Sequence, residues 1–300
     1  MNPTDQRSGY NSGLIAGIGA YVMWGLVPLY WPLLKPASAM EILSHRVVWS
    51  LVFLLIIVYL KKLFGDVKEA LLNKRKMILL FFASIFITIN WGVFIWAVNN
   101  GHVIETSLGY FINPLVSVAL GVIVLKEKLR ALQKIAVSLT FVAVTFLTLT
   151  LGHPPYIALS LAFSFGFYGL VKKMANVKAI PSLTLESLMI TPFFAIFLYY
   201  LSSQNELSFV KLGPIHSLWL VTAGIVSVIP LMLFSTAVLR IPLVVLGLMQ
   251  ALGPIIQFLI GYFVFHELMS VSRWIGFLIV WLAVSVFSYD AVRTYRSNKN

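Results

Sequence analysis

Apolar runs of about twenty residues follow one another along nearly the whole chain, broken by short clusters of Lys, Arg, Gly, Pro and Asn. An α-helix rises 1.5 Å per residue, so about twenty apolar residues cover the ~30 Å of hydrocarbon in a bilayer. The pattern predicts ten membrane-spanning helices, at roughly 13–34, 41–60, 77–98, 103–125, 131–150, 155–172, 182–201, 215–238, 243–265 and 272–291. Asn99-Asn100-Gly101-His102 reads as a turn between the third and fourth spans. Gly152-His153-Pro154-Pro155 reads as a turn between the fifth and sixth.

The fourth span sets the plan for the rest. Residues 108–134 form an apolar helix with a glycine and proline break, Gly109-Tyr110-Phe111-Ile112-Asn113-Pro114, ending in Lys126-Glu127-Lys128. The same plan returns 140 residues later, where Pro114 falls on Pro254, Gly121 on Gly261 and Glu127 on Glu267. Phe94, Ala97 and Val98 land on Phe234, Ala237 and Val238 at that offset, and Tyr59 on Tyr199. So many matches in one register point to a duplicated unit, the mark of many transporters. The expected organisation is a tail over 1–12, a first repeat over 13–150, a second over 155–291 and a tail over 292–300.

Ala37-Ser38-Ala39 has the look of a cleavage site after a secretory signal. Against that, the preceding run is 22 residues, with only Arg7 before it, and Trp24-Gly25-Leu26-Val27 has a counterpart in Tyr168-Gly169-Leu170-Val171. The first helix is therefore expected to be retained.

Composition excludes an ordinary soluble domain: 60% of residues are hydrophobic, 11% are charged, and the mean hydropathy is +0.93. The net charge of +12 sits in clusters between apolar runs, which fits topology signals better than a nucleic-acid face. With a cytoplasmic N-terminus, eighteen Lys and Arg fall on the inner side and three, Lys35, Lys211 and Arg273, on the outer side. Both termini are then expected in the cytoplasm. Five helices per repeat is an odd number, so the two repeats must cross in opposite directions. The fold class is an all-α polytopic membrane protein with ten transmembrane helices in two inverted five-helix repeats.

Polar groups within the spans are few. Arg46 lies about one turn into the second span, where a charge costs up to a few kcal/mol unless it snorkels or pairs. Glu105 is the expected partner. Glu186 holds the same register in the second half, and Lys172 or Lys173 could answer it. These pairs read as gates on opposite sides or as ion pairs that fix packing. Deeper lie Trp24, Asn90, Trp91, Tyr110, Asn113, Gln250 and Gln257, which could line a pocket for an organic solute or simply join helices. Several sit next to Pro114, Pro230 or Pro254, where freed backbone carbonyls can face a cavity. Pro114 and Pro254 are the hinge candidates.

Catalytic and cofactor signatures are missing. There is no Walker loop and no GxGxxG after a strand, and the five histidines have no ligand spacing. No metal or cofactor is expected. No cysteine is present, which removes disulfides and thiol chemistry. Exchange or facilitated passage is as defensible as proton coupling, because no carboxylate falls at mid-membrane.

Glu41-Ile42-Leu43-Ser44-His45-Arg46-Val47-Val48-Trp49-Ser50 resembles the RarD family, of the EamA branch of the drug/metabolite transporter superfamily. The likeness continues through Asn90-Trp91, Trp96-Ala97-Val98-Asn99, Ser107-Leu108-Gly109-Tyr110-Phe111-Ile112-Asn113-Pro114, Glu127 and Tyr168-Gly169-Leu170 with Lys172-Lys173. It implies a bacterial inner-membrane permease with a central cavity, lined mainly by the first, third, fourth, sixth, eighth and ninth helices. That allocation would put Trp24, Asn90, Tyr110, Asn113, Tyr168 and Gln250 on lining helices. The expected partners are a small-molecule substrate and the lipid bilayer, with no nucleic acid, and a homodimer is left open. The expectation is a secondary permease working by alternating access, against a membrane-embedded sensor that binds a solute without moving it.

Overall fold

The structure is a computed structural model that describes residues 3–100, 102–151, 154–264 and part of the segment 271–293. Its described residues form α-helices joined by short turns, in the order α1 (Pro3–Leu26), α2 (Ala39–Leu60), α3 (Phe64–Leu72), α4 (Lys74–Asn99), α5 (Val103–Ile123), α6 (Ala131–Leu151), α7 (Tyr156–Ala175), α8 (Ala179–Ser203), α9 (Pro214–Arg240), α10 (Leu243–Met249) and α11 (Leu252–Phe263). Six of them are long and apolar enough to cross a membrane: α1, α2, α4, α7, α8 and α9. Shorter apolar helices cover Gly109–Ile123, Ala131–Phe146 and Leu243–Gln257. The predicted span at 272–291 lies largely outside the described residues.

Local signals fix the helix ends. Ser38 caps α2, its hydroxyl accepting from the Glu41 N–H at 3.2 Å, which satisfies one of the donors a helix start leaves free. Asn176 closes α7 in the left-handed region at φ 49°, and its N–H reaches back to the Lys172 carbonyl.

The structure departs from the predicted elements in four places. The first span ends earlier as a helix, and Val27–Leu29 and Trp31–Leu34 continue it as two 3₁₀ turns. Residues 61–76 were expected as a basic loop; they contain α3, which sets Ala70 into a small core with Leu80 and Leu185. α5 runs through Pro114 without a break. The predicted helix at 243–265 is instead two helices parted at Gln250-Ala251. Pro254 lacks an N–H, so the Gln250 carbonyl cannot form its usual bond; it accepts from Gly253 at 3.3 Å instead, and the chain tightens there.

The two halves of the chain interleave. α1 packs on α9 and α11, α2 on α8 and α9, α4 on α7, and α5 on α7 and α10. Close approach depends on small residues, as in membrane bundles: a Cβ on Gly224 would come within 2.6 Å of the Trp49 backbone, and one on Gly247 within 2.8 Å of Ser117 Cβ. Leu55, Phe82, Phe141, Phe193 and Ile196 stand exposed on the outside of the bundle. Lipid would cover such a surface, as water could not at this extent.

Candidate functional site

Between the halves lies a cavity of about 310 Å³. Its walls come from α1, the 3₁₀ turns, α2, α4, α5, α7, α9 and the α10–α11 break. Of the residues expected to contact solute, Trp24, Asn90, Trp91, Tyr110, Asn113 and Gln250 all line it, as does Gln257. α2 was not among the helices expected to line the cavity, yet it contributes Arg46.

Three of the cavity's amides are held from outside it. The Asn90 amide nitrogen donates to the Leu161 carbonyl at 2.9 Å and to Ser164 Oγ at 3.0 Å, tying α4 to α7. Its Oδ1 is left as an acceptor. The packing reading of this asparagine and the pocket reading therefore hold together, one for each end of the amide. Ser117 donates to Gln250 Oε1 at 3.2 Å, and Gln257 Nε2 donates to the Trp24 carbonyl at 3.2 Å, bracing α1 against α11. Asn113 is 8% exposed, and its Oδ1 has no hydrogen-bond partner among the described residues.

Arg46 sits between two indoles, with its guanidinium carbon 5.1 Å from the Trp31 ring centroid and 4.9 Å from that of Trp91. Such contacts are each worth about 0.5–2 kcal/mol, more where water is excluded. Its Nε donates to Ser227 Oγ at 2.8 Å, and Ser227 in turn donates to the Ala223 carbonyl at 2.7 Å, which turns the hydroxyl lone pairs toward the arginine. Oε1 of Glu41, on the same helix, accepts from the Ser208 and Phe209 N–H groups at 2.7 and 3.1 Å. The predicted partner, Glu105, has its side chain outside the described residues.

Tyr168 was expected on the cavity wall and is not there. It is fully buried below the floor, stacked on Phe234 with centroids 5.8 Å apart, and its ring lies 5.5 Å from Lys172 Nζ. Phe165, one turn earlier on α7, reaches the cavity and meets Trp24 edge-on at 5.7 Å.

At the end away from Trp31 two ion pairs gather, one within the second half and one between the halves. The partner of Glu186 is Lys172, not Lys173: Lys172 Nζ donates to Glu186 Oε1 at 2.5 Å and to Ser182 Oγ at 2.6 Å, with all three residues buried. Lys172 and Lys173 are adjacent and so point about 100° apart around the helix. Lys173 therefore reaches a different neighbour. It lies 3.0 Å from Glu127 Oε1 and donates to the Ile241 carbonyl at 2.7 Å. Glu127 also caps α10, accepting from the Leu243 N–H at 2.9 Å and the Val244 N–H at 2.8 Å. A residue singled out only for its place in the repeat thus fastens the first half to the broken helix of the second.

The EamA-like transporter family profile matches the chain twice, over residues 11–149 and 155–289. The chain belongs to the EamA-like transporter family. Protein RarD of Streptomyces exfoliatus is 48% identical over 96% of this chain and 91% of its own length. Protein RarD of Escherichia coli is 38% identical over 95% of this chain and 96% of its own. Both place the chain as a RarD-type EamA permease. An uncharacterized transporter of Bacillus subtilis, YojE, is 41% identical over 98% of this chain and 99% of its own. A solved crystal structure shares the fold, with a TM-score of 0.70 at 15% identity, covering 93% of this chain and 98% of the other. The chain is a multi-pass membrane transporter of the drug/metabolite type.

Trp31, Phe165 and Ser227 are among the residues of this permease's cavity that were missed in the sequence. Trp31 lies in a 3₁₀ turn that the hydropathy pattern absorbed into the first span. Ser227 is an ordinary helical serine until the packing of α2 on α9 sets it beside Arg46, 181 positions away in the chain. No signal in the sequence marked it.

Proposed function

We propose that the protein is a bacterial inner-membrane secondary permease that moves a small organic solute by alternating access, with ten transmembrane helices in two inverted five-helix halves. The observation that carries this reading is the cavity itself. It lies where both halves meet, is lined by aromatic rings and neutral amides, and has a volume within the range of small-molecule sites. The eighteen-to-three distribution of basic residues supports a cytoplasmic position for the Glu127 end and for both termini. The state described here is then closed inward by Glu127 and Lys173, with the cavity approached from the Trp31 side.

In this reading Trp24, Asn90, Trp91, Tyr110, Asn113 and Gln250 contact the solute. The gap at Gln250-Ala251 beside Pro254 is the principal hinge. Pro114, inside a continuous helix, bends less. Glu127 with Lys173 forms the inner gate between the halves, Lys172 with Glu186 stiffens the second half beside it, and Arg46 with Glu105 is assigned to the outer gate. Rocking of one half about the cavity would break the Glu127–Lys173 pair and close the outer rim.

Reconstitution tests this. Sealed vesicles preloaded with a stabilising ligand should show counterflow of labelled ligand, and Trp24→Ala or Asn90→Ala should abolish it. Binding without counterflow would make the protein a sensor.

A further inference from the structure

We propose that the solute is an organic anion, a small carboxylate with an aromatic or apolar body, anchored by Arg46; this rests on the permease reading above and narrows its substrate class. Arg46 carries the one charged side chain among the described residues that line the cavity. Its surroundings prepare it to meet a ligand. Ser227 fixes Nε, and the Trp31 and Trp91 rings clamp the guanidinium plane. Neither Nη has a hydrogen-bond partner among the described residues, and Glu41 is held by Ser208 and Phe209. What remains is a planar fork of N–H donors at the edge of a cavity of low polarity, the geometry that takes two coplanar carboxylate oxygens.

The rest of the lining sets the other end of the molecule. Trp24, Trp91, Phe94 and Tyr110 offer ring faces and edges. A cation would meet the positive charge of Arg46 with no carboxylate in the described lining to offset it. A neutral solute could offer the guanidinium fork only uncharged acceptors, which bind it more weakly.

The test uses one molecular frame in three charge states: 4-hydroxyphenylacetate, its amide, and tyramine, each titrated against the purified chain by thermal stabilisation. The acid should stabilise the protein, and the amide and the amine should bind about ten- to a hundredfold more weakly, the range of one charge-assisted hydrogen-bonded contact. Arg46→Gln should remove the preference for the acid, and Arg46→Lys should keep part of it. If Arg46→Gln does not fold, the three-compound series on the unaltered chain still decides. Equal or tighter binding of tyramine or the amide overturns the proposal, and so does no response to the acid. Counterflow separates this inference from the permease reading. Arg46-dependent binding of the acid without exchange keeps the anion site and removes transport. Exchange of another solute class with indifference to the acid keeps transport and removes the anion site.

Discussion

Beside Trp31, a guanidinium lies between two indoles with its terminal nitrogens unbonded to protein among the described residues. Beside Glu127, two lysines and two glutamates are paired with each other, and Glu127 also takes two backbone N–H groups. Both regions bring charge into an apolar bundle and both link the two halves. The difference is what the charge is for. A buried pair with its lone pairs and protons satisfied is a lock, because parting it leaves ions without water or counterion. A held but unsatisfied arginine contributes little to closure and is available to something that enters.

The comparison can be broken most severely at Glu186. Glu186→Leu or Lys172→Met alone should cost about 3–5 kcal/mol in unfolding experiments, since each leaves a buried charge unpaired. The double substitution Lys172→Met with Glu186→Leu should recover most of that loss, and a double-mutant cycle reads the difference. If each single substitution costs under about 1 kcal/mol, the pair is solvated and is not a lock.

Gly224→Ala should destabilise by about 1–3 kcal/mol, because the new Cβ would press on the Trp49 backbone and part α2 from α9, which together hold Arg46 on Ser227. A smaller loss, about 1–2 kcal/mol, is expected for Glu127→Ala, which uncaps α10 and frees Lys173. Its distinctive effect should be on conformation, a shift toward the inward-open state. The smallest effect belongs to Tyr168→Phe. The Tyr168 hydroxyl is buried without a hydrogen-bond partner among the described residues, so removing it should change stability by about 1 kcal/mol or less. Ligand response should survive it while Trp24→Ala loses the response. Loss of response in Tyr168→Phe would return Tyr168 to the solute site.

Much of this was legible in the chain. The first nine predicted spans fall on apolar helices, because twenty apolar residues leave the backbone few alternatives in lipid. Depth along each helix was also readable, which is why Trp24, Asn90, Tyr110 and Gln250 line one cavity. Azimuth was not. Lys172 and Lys173 differ by one position and serve different carboxylates. Phe165 reaches the cavity while Tyr168, a turn below, is buried beneath its floor. Which way a helix faces is decided by neighbours distant in sequence, as Ser227 shows. α3 was missed for another reason: Phe64, Val67, Ala70 and Leu71 make an apolar stripe at helical spacing, but the lysines around it read as a loop.

The most direct test of a cavity open on one side and locked on the other uses the absence of cysteine from the chain. Val226→Cys places a single thiol on the cavity wall, and Val244→Cys places one at the start of α10 behind Glu127. Each is exposed to a membrane-impermeant maleimide from either side of the membrane. The account predicts that Val226→Cys reacts from outside, while Val244→Cys is protected from the cytoplasmic side until Glu127→Ala is added. Reaction of Val226→Cys only from the cytoplasm, or of Val244→Cys with Glu127 intact, would contradict it.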